Sequence, residues 1–385
     1  MIPFMIVGDG PQEPTGLGRI ARDLAGQIVT SDLPVDFVHV GGSIPPIWAQ
    51  WRHYPLDRSQ GDWGASYVEA LWRSIFGNDP GILWVIWDPG RLAAFTNIQL
   101  PVQKWAYTAI DSANIRDSVG GPARQALAEF DRVLTYGRWA DTIVQTVRPQ
   151  VQYLPHGLSL QTYSPAMRQE EVEWVQQTLG PFFNPEHHVL IGCVATNQPR
   201  KDLGLYFHTL SKLRERGINV YGWLHTDVLV KDWAVQQLVE DFGLIKKVAV
   251  TLPELSDRQL ALLYHACNVT IAPGLGEGFG YPIAESLAAG VPVVHGDYGG
   301  GVELIPKVEW RFPVRALRLE SVYAIKRPVF AVDDVANAVE RALSWRKEVG
   351  LIVASAYCRG CVAHLDWPNL WLRWQSWIRQ GLQDG

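Results

Sequence analysis

The sequence is poor in charged residues and contains no long apolar segment. Its 385 residues include 34 Lys and Arg against 39 Asp and Glu, a net charge of −5. This balance argues against a broad electrostatic footprint for nucleic acid, although it is compatible with a local basic groove. No apolar run approaches the roughly 20 residues that a membrane-spanning helix needs. The opening MIPFMIVGDG has no basic segment, so we predict no signal peptide and expect a cytoplasmic protein.

Cysteine is also scarce, and its spacing predicts neither a metal site nor a redox centre. The sequence has four cysteines, of which Cys358 and Cys361 form a lone CxxC pair within a helical pattern. A zinc site needs a second pair, and a redox motif needs a strand directly before the first cysteine. We therefore predict ordinary reduced cysteines.

Tryptophan, in contrast, is abundant. Several of the 17 tryptophans lie in two stretches, 48–72 and 367–377. Aromatic residues in amphipathic stretches most often pack within a core or between domains. The alternative for 48–72 is a binding surface for a sugar, a lipid or a base.

Short apolar runs alternate with helical patterns along the chain. Buried strands are predicted at 4–7, 35–40, 82–87, 105–110, 132–135 and 151–154, and then at 189–195, 220–224, 248–252, 269–272 and 291–295. Alternating strands and helices predict an α/β protein with doubly wound parallel sheets, whose ligands bind at the carboxyl ends of the strands.

The stretch 269–303, VTIAPGLGEGFGYPIAESLAAGVPVVHGDYGGGVE, is the most informative part of the sequence. A strand leads into a loop with Glu277, and Pro282 begins a helix that ends near Gly290. Free amides and the positive end of the helix dipole favour phosphate in such a loop. Glu277 and Glu285 can then accept hydroxyl hydrogen bonds from different parts of one ligand, which predicts a nucleotide sugar. The alternative is a glycine-rich turn with two solvated glutamates.

Two further loops open helices in the same way. The first is Thr15-Gly16-Leu17-Gly18-Arg19, and the second is the run from Asn197 to Asp202, which includes Arg200 and Lys201. Adjacent Arg and Lys side chains at a strand–helix loop bind diphosphate well. The alternatives are a tight structural turn and a solvated pair of cations.

The central stretch resembles a known family. Glu277, Glu285 and the Gly-Phe-Gly-Tyr-Pro between them resemble the signature of family 4 retaining glycosyltransferases of the GT-B fold, or glycosyl transferases group 1. The segments 290–294 and 299–303 are similar to the family's continuation. The resemblance implies that Glu277 faces the donor sugar and Glu285 the nucleotide ribose. It also implies that sugar and diphosphate are held by the amides of Gly278, Phe279, Gly280 and Tyr281.

The resemblance implies roles for other donor-binding residues. Lys201 matches the family's phosphate-binding lysine, and Arg200 is expected to replace an arginine whose nearest match here is Ala195. Asn197 lies in the same loop, and the backbone of Leu252 is expected to hold the base. In the first domain, the glycine loop that faces the donor is matched by Gly16, Gly18 and Arg19.

The resemblance also implies the domain organisation. Pro155-His156-Gly157 and Tyr163-Ser164-Pro165 resemble the family's passage between domains, where His156 is expected to be a hinge or packing residue. We therefore expect an acceptor domain at 1–160, a donor domain at 161–365 and a last helix, 366–385, that packs back on the first domain. In the GT-B architecture two Rossmann-like domains face each other across a cleft.

The chemistry implied is transfer of a sugar with retention, in which the leaving phosphate takes the proton of the acceptor. The sequence contains no Asp-x-Asp, the pattern that marks a metal-bound diphosphate in the other large glycosyltransferase fold. We therefore predict no metal and no cofactor, with a UDP- or GDP-type sugar as co-substrate. Asp88 and Asp111 follow strands and are candidate catalytic residues beside Glu277, with helix capping as the alternative. Asp111 stands near the place where many relatives have a histidine.

Several alternatives stay open. A nucleotide-sugar epimerase would need acid–base groups at the sugar, for which Asp88, Asp111 and Glu277 are the candidates. A non-catalytic protein that binds a nucleotide sugar or a glycan is a second alternative. The acceptor is expected to be a glycan, a lipid or a small molecule. Because the opening GDGPQEPTGLGRIARDLA resembles glycosyltransferases of phage genomes, a hydroxymethylated base of phage DNA is a further acceptor hypothesis.

Overall fold

A computed structural model describes residues 1–42, 50–320 and 324–383. Trp48, at the start of the tryptophan-rich stretch, lies outside these residues. The described residues form fifteen strands: β1 (Ile2–Gly8), β2 (Val35–Gly41), β3 (Arg52–Tyr54), β4 (Gly81–Ile86), β5 (Val102–Thr108), β6 (Arg132–Thr135), β7 (Gln152–Tyr153), β8 (Val189–Val194), β9 (Val220–His225), β10 (Val248–Thr251), β11 (Val269–Ala272), β12 (Val293–Gly296), β13 (Arg311–Phe312), β14 (Ala316–Glu320) and β15 (Ile325–Val329).

The same residues form thirteen α-helices: α1 (Gly16–Val29), α2 (Ala65–Phe76), α3 (Pro89–Leu92), α4 (Gly121–Glu129), α5 (Arg138–Val144), α6 (Gln169–Leu179), α7 (Leu203–Glu215), α8 (Val235–Asp241), α9 (Asp257–Ala266), α10 (Tyr281–Ala288), α11 (Val332–Val349), α12 (Leu351–Cys361) and α13 (Trp367–Gln383). None of the described helices is both long enough and apolar enough to cross a bilayer.

The chain divides into two compact units. The first unit comprises the described residues of Met1–Gly157, Glu320–Ile325 and Trp367–Gly385, and the second those of Leu158–Leu319 and Lys326–Asp366. Glu320, Ala324 and Ile325 group with the first unit, where Ile325 bridges to Asn114.

The first unit contains a seven-stranded sheet in the order β3-β2-β1-β4-β5-β6-β7. All of its strand pairs are parallel. The middle strands β1 and β4 are buried along nearly their whole length, as expected for a parallel sheet that is covered on both faces. The order of the strands reverses between β1 and β4, so this edge is the switch point at which doubly wound sheets bind ligands.

The second unit contains a six-stranded parallel sheet in the order β10-β9-β8-β11-β12-β13. Its centre is β8 and β11, and the loops after these two strands contain Lys201, Arg200 and Glu277 of the predicted site. The predicted α/β fold with doubly wound parallel sheets is confirmed. A separate two-stranded sheet, β14 with β15, was not predicted.

The last helix, α13, packs through tryptophans on aromatic residues of the first sheet. Trp374 lies 5.9 Å from Trp84 and 5.0 Å from Tyr107 between ring centroids. Trp377 contacts Trp105 at 4.9 Å, and both helix tryptophans are buried. Trp374 and Trp377 are therefore core residues rather than ligand platforms.

Several predicted boundaries were wrong by a few residues. The strand predicted at 105–110 is β5, which begins at Val102 and ends at Thr108. The helix predicted from Trp233 is α8, which begins at Val235 because the amide of Trp233 donates to the side chain of Asn197. The cysteines form no disulfide, and both members of the CxxC pair lie within α12. Burial raises the pKa of Cys358 to about 12, which fits an unreactive thiol.

Candidate active site

The predicted strand–loop–helix unit of the central stretch is present. β11 ends at Ala272, and α10 begins at Tyr281 with Pro282 in its first turn. The residue that caps the helix is Gly280, whose φ of 92° lies in the left-handed region that favours glycine. Within the loop, Phe279 is buried against Tyr281 at 5.3 Å, and the carbonyl of Glu277 accepts from the amide of Gly300. The loop is therefore held at both ends.

Glu277 forms a buried ion pair with Lys201. Lys201 Nζ donates to Glu277 Oε1 at 2.6 Å, and both residues are 9% exposed. Arg200 Nη1 lies 3.8 Å from the other carboxylate oxygen, Oε2, and donates to the carbonyl of Gly276 at 3.1 Å. The loop after β8 and the loop after β11 thus bring the three charged residues of the prediction together.

Glu277 is ionised in this environment. Burial by itself would raise the pKa of its carboxyl, but the charges of Lys201 and Arg200 outweigh burial and lower that pKa. The site therefore contains two cations and one carboxylate, next to the N-terminal end of α10. Positive charge is in excess, which suits an anionic ligand.

Gly274 allows the carboxylate to lie against the backbone. A Cβ atom on Gly274 would lie 2.6 Å from Glu277 Oε1. The neighbouring amide of Leu275 donates to the carbonyl of Arg200 at 2.7 Å, which joins the two loops. The cavity beside the carboxylate holds about 10 Å³, room for about one water.

His295, which the sequence analysis missed, lies behind this pair. Its Nδ1–H donates to the carbonyl of Ala272 at 2.7 Å, and burial lowers its pKa. The ring is therefore neutral at pH 7, with Nε2 as the hydrogen-bond acceptor. The signal available in the sequence was only its place at the end of the VPVVH run.

Glu285 lies inside α10 and is held by two tyrosines. Tyr163 and Tyr264 donate their hydroxyls to Oε1 and Oε2 of Glu285, each at 2.9 Å. All three residues are at least nine-tenths buried. Both oxygens thus have protein partners, and the contact with ribose that the resemblance implies stays a prediction.

Two predicted donor residues are placed differently from the charged group. Asn197 is fully buried. Its side-chain Nδ2 donates to the carbonyls of Val228 and Trp233, and its Oδ1 accepts from the backbone amide of Trp233. Asn197 therefore ties the loop after β8 to the segment before α8. These three bonds use both the nitrogen and the oxygen of its side chain, and a contact of Asn197 with the donor stays a prediction. Leu252 directly follows β10, the edge strand, and is 38% exposed.

The glycine loop of the first unit is a tight cap. Thr15 Oγ1 accepts from the amide of Gly18 at 2.9 Å and so caps α1, which begins at Gly16. A Cβ on Gly18 would lie 2.5 Å from the carbonyl of Glu13, so glycine is required here by packing. Arg19 lies 3.8 Å from Asp23 one turn along the helix. A role for Gly16, Gly18 and Arg19 toward the donor stays a prediction.

Asp88 and Asp111 also lie in the first unit, whereas Glu277 lies in the second. Asp88 caps the short helix α3 through the amide of Arg91 and pairs with the Arg91 side chain at 3.1 Å. The capping alternative is therefore correct for Asp88. Asp111 follows β5 and accepts from Ser112 at 3.1 Å, without capping a helix.

His156, the expected packing residue, is buried between aromatic rings. It contacts the hydroxyl of Tyr107 at 2.7 Å, and its ring lies 4.2 Å from that of Tyr136. Burial holds its pKa well below its usual value. A packing role is therefore confirmed by these contacts.

A separate cavity of about 560 Å³ lies in the first unit beside the loop after β5. Its lining includes Arg116, Ser118 and Arg124. None of the predicted site residues lines it.

Residues 227–315 match the family model for glycosyl transferases group 1. We call these residues the group 1 segment. It includes Glu277 and Glu285, and it begins after Lys201. The resemblance predicted from the central stretch is confirmed by this match.

Part of the chain is also similar to curated glycosyltransferases. Over 144 residues the chain is 30% identical to a D-inositol 3-phosphate glycosyltransferase of Mycobacterium marinum, which covers 37% of this chain and 29% of that protein. Over 141 residues it is 26% identical to the serotype-specific mannosyltransferase WbdA of Escherichia coli, covering 35% of this chain and 16% of that protein. The matches span less than a third of the length of these curated relatives.

Solved structures share the fold of the whole chain. A sucrose-phosphate synthase of Thermosynechococcus elongatus aligns with a TM-score of 0.75 at 16% identity, over 100% of both chains. The HepE protein of Anabaena, solved with UDP and glucose, aligns with a TM-score of 0.72 at 12% identity, also over 100% of both chains. The predicted GT-B fold is therefore confirmed.

Proposed function

We propose that the protein is a glycosyltransferase that moves a sugar from a nucleotide diphosphate sugar to the hydroxyl of an acceptor. The observation that carries this proposal is the buried pair of Lys201 and Glu277, with the half-buried Arg200 beside it, next to the N-terminal end of α10. The group combines cations for a diphosphate with a carboxylate for sugar hydroxyls. The group 1 segment contains the carboxylate and the helix.

The cations and the helix stabilise the leaving group. As the bond to the anomeric carbon breaks, negative charge grows on the diphosphate, and donors that are already in place stabilise it best. Lys201 acts as a point charge and Arg200 as a two-pronged donor. Together with the amides at Gly280 and Tyr281 they supply the charge that a metal ion would otherwise supply, so we propose a reaction that needs no metal.

Glu277 binds the sugar. Its ionised carboxylate accepts hydroxyl hydrogen bonds and stabilises the positive charge that develops on the ring. The leaving phosphate takes the acceptor proton, and the anomeric configuration is retained, as the family resemblance implies.

A uridine nucleotide is the donor that we propose. HepE of Anabaena was solved with UDP and with UDP-glucose, and a trehalose-6-phosphate protein of E. coli was solved with UDP-2-fluoro glucose. These ligands belong to those proteins, and the shared fold supports testing UDP first.

Calorimetric titration with UDP, GDP, ADP and their sugar conjugates tests the proposal. We expect one nucleotide sugar to bind with the same affinity with and without EDTA. Lys201→Met should weaken the binding of nucleotide and conjugate alike, because it removes a diphosphate contact. Glu277→Gln should make the conjugate bind no more tightly than the free nucleotide.

Lys212→Met is the matched control, since Lys212 forms an exposed pair with Glu215 on α7. It should bind as the wild type does. Binding of no nucleotide would contradict the proposed function, and binding lost in EDTA would contradict metal independence alone. Proton NMR of the product of an active donor and acceptor pair then shows whether the configuration is retained.

A further inference from the structure

The first unit contains a cluster of tryptophans and arginines that the donor chemistry does not use. We call Trp63, Trp87, Arg58 and Arg91, with the carboxylate of Asp9, the Trp63 cluster. Asp9 directly follows β1, and Trp87 directly follows β4. The cluster therefore lies at the carboxyl ends of the two strands between which the order of the sheet reverses, where doubly wound sheets bind their ligands.

Trp63 is exposed and adopts an unusual backbone conformation. Its side chain is 42% exposed, and its φ of 56° lies in the left-handed region that bulky residues rarely adopt. Such conformations persist where the surrounding structure enforces them, and they concentrate at ligand sites. A large apolar ring is thus presented to solvent in a conformation that a glycine would adopt more easily.

Asp9 anchors the inner part of the cluster. It is buried, and its Oδ1 accepts from Trp87 Nε1 at 2.8 Å while Oδ2 accepts from Thr15 at 3.1 Å. Arg91 lies 3.6 Å from Asp9 and 3.1 Å from Asp88. The charge of Arg91 is therefore balanced by two carboxylates.

Arg91 and Arg58 both lie near the two tryptophan rings. The guanidinium carbon of Arg91 is 4.8 Å from the ring centroid of Trp63 and 5.5 Å from that of Trp87. The corresponding distances for Arg58 are 5.8 Å and 5.2 Å. Cation–π attraction holds a guanidinium near an indole ring at such distances.

Arg58 differs from Arg91 in its charge balance. Its side chain is exposed, and no carboxylate of the described residues lies within 4 Å of it. The Trp63 cluster thus offers one uncompensated guanidinium beside one exposed indole. A planar guanidinium binds a phosphate or a carboxylate through two parallel hydrogen bonds.

We propose that the Trp63 cluster binds the acceptor and that the acceptor is an anionic saccharide. The apolar face of its sugar ring lies on Trp63, and its phosphate or carboxylate pairs with Arg58. This proposal rests on the proposed function, because it supplies the acceptor for the sugar transfer. A single uncompensated cation suits one anionic group, whereas duplex DNA would require several phosphate contacts.

Calorimetric titration with D-glucose 6-phosphate, D-glucuronate and neutral methyl α-D-glucoside tests the acceptor site without donor present. We expect at least one of the two anions to bind at least about tenfold more tightly than the neutral glucoside, as a charged hydrogen bond contributes on that order. The two anions distinguish phosphate from carboxylate. Arg58→Gln should abolish the preference for the anion, and Arg58→Lys should restore only part of it.

Trp63→Gly should weaken the binding of every sugar that the wild type binds. Because the residue has a positive φ, this substitution should not lower Tm, so weaker binding is not a sign of misfolding. Arg116→Gln is the matched control: Arg116 is an exposed arginine of the same unit that lines the other cavity. Its variant should bind as the wild type does.

Three outcomes would overturn the proposal. The first is equal affinity for anionic and neutral sugars. The second is sugar binding that is unchanged in both Trp63→Gly and Arg58→Gln. The third is sugar binding that is lost in Arg116→Gln instead. Binding of no sugar, with binding of an oligonucleotide that carries 5-hydroxymethylcytosine, would also overturn it and favour a DNA acceptor. Since donor titration is a separate experiment, failure of the acceptor site leaves the proposed transferase function standing.

Discussion

Lys201 and Glu277 illustrate how one buried contact serves both stability and chemistry. Each side chain is 11% exposed, and their charged atoms are 2.6 Å apart. A buried pair of this kind contributes little compared with a hydrophobic pair, but removal of one partner leaves a buried charge without compensation. Substitutions at the two residues should therefore affect folding as well as binding.

We predict that Lys201→Met destabilises the protein by about 3–5 kcal/mol, because Glu277 then keeps only the more distant Arg200. Urea unfolding of the variant and the wild type measures the difference. Lys212→Met, in an exposed pair, should cost less than about 1 kcal/mol. The double variant Lys201→Met/Glu277→Leu should recover most of the loss. Equal effects of the two single lysine variants would contradict the prediction.

Gly274 is a second residue at which packing and chemistry meet. A Cβ there would lie 2.6 Å from Glu277 Oε1, so Gly274→Ala should displace the carboxylate and cost about 1–3 kcal/mol. The affinity for a nucleotide sugar should fall more than the affinity for the free nucleotide. Gly26→Ala is the control: nothing lies within 4 Å of its Cβ position in α1, and it should stabilise by about 0.5–1 kcal/mol. A stable Gly274→Ala variant with normal sugar binding would be the opposing result.

At the scale of elements, Arg258 joins α9 to the start of α6. Its guanidinium donates to Glu171 at 3.0 Å and to the carbonyls of Thr162, Ser164 and Ala166. Glu171 also accepts from the amide of Arg168, which caps α6. One arginine thus holds the chain segment that enters the second unit.

Glu171 makes this junction sensitive to acid. Its hydrogen bond with Arg258 lowers its pKa from 4.5 to about 2. A lowered folded-state pKa contributes stability that is present above 4.5 and is lost as the pH falls toward about 2. Thermal unfolding should therefore show Glu171→Gln below the wild type in Tm at pH 6, with the difference closing between about pH 5 and pH 2.

Glu173→Gln is the control for this titration, because Glu173 is exposed on the same helix and accepts only from Gln169 among the described contacts. It should follow the wild type at every pH. A constant difference in Tm between Glu171→Gln and the wild type across this range would contradict the assignment.

At the scale of the whole molecule, the last helix completes the core of the first unit although it is far from that core in sequence. Trp374 is fully buried against Trp84 and Tyr107, and its Nε1 donates to the carbonyl of Pro155 at 3.2 Å. The first unit therefore cannot complete its core until the end of the chain is present.

We predict that Trp374→Ala destabilises the first unit by about 3–5 kcal/mol, the usual cost of removing a buried tryptophan. Leu372→Ala, on the exposed side of the same helix at 68% exposure, should change stability by less than about 0.5 kcal/mol. Guanidinium unfolding monitored by far-UV circular dichroism gives both values. Similar losses for the two variants would show that α13 contributes only as a helix and not through its buried face.

The sequence by itself determined the α/β class, the parallel sheets and the unit built around Glu277. It could do so because apolar runs, glycines and prolines report local burial and local backbone geometry. The predicted ends of β5 were wrong because pairing with the neighbouring strands decided them. The predicted start of α8 was wrong because a hydrogen bond from the amide of Trp233 to Asn197 decided it. The short strands β13, β14 and β15 left no comparable apolar pattern.

Only the tertiary structure decided which side chains meet. Lys201 and Glu277 are 76 residues apart, and Tyr163 and Glu285 are 122 apart. A local pattern cannot show that Glu285 is held by two tyrosines or that His295 lies behind the ion pair. The Trp63 cluster depends in the same way on strands β1 and β4 being neighbours, because the order of strands in a sheet follows from packing of the whole chain and not from any one segment.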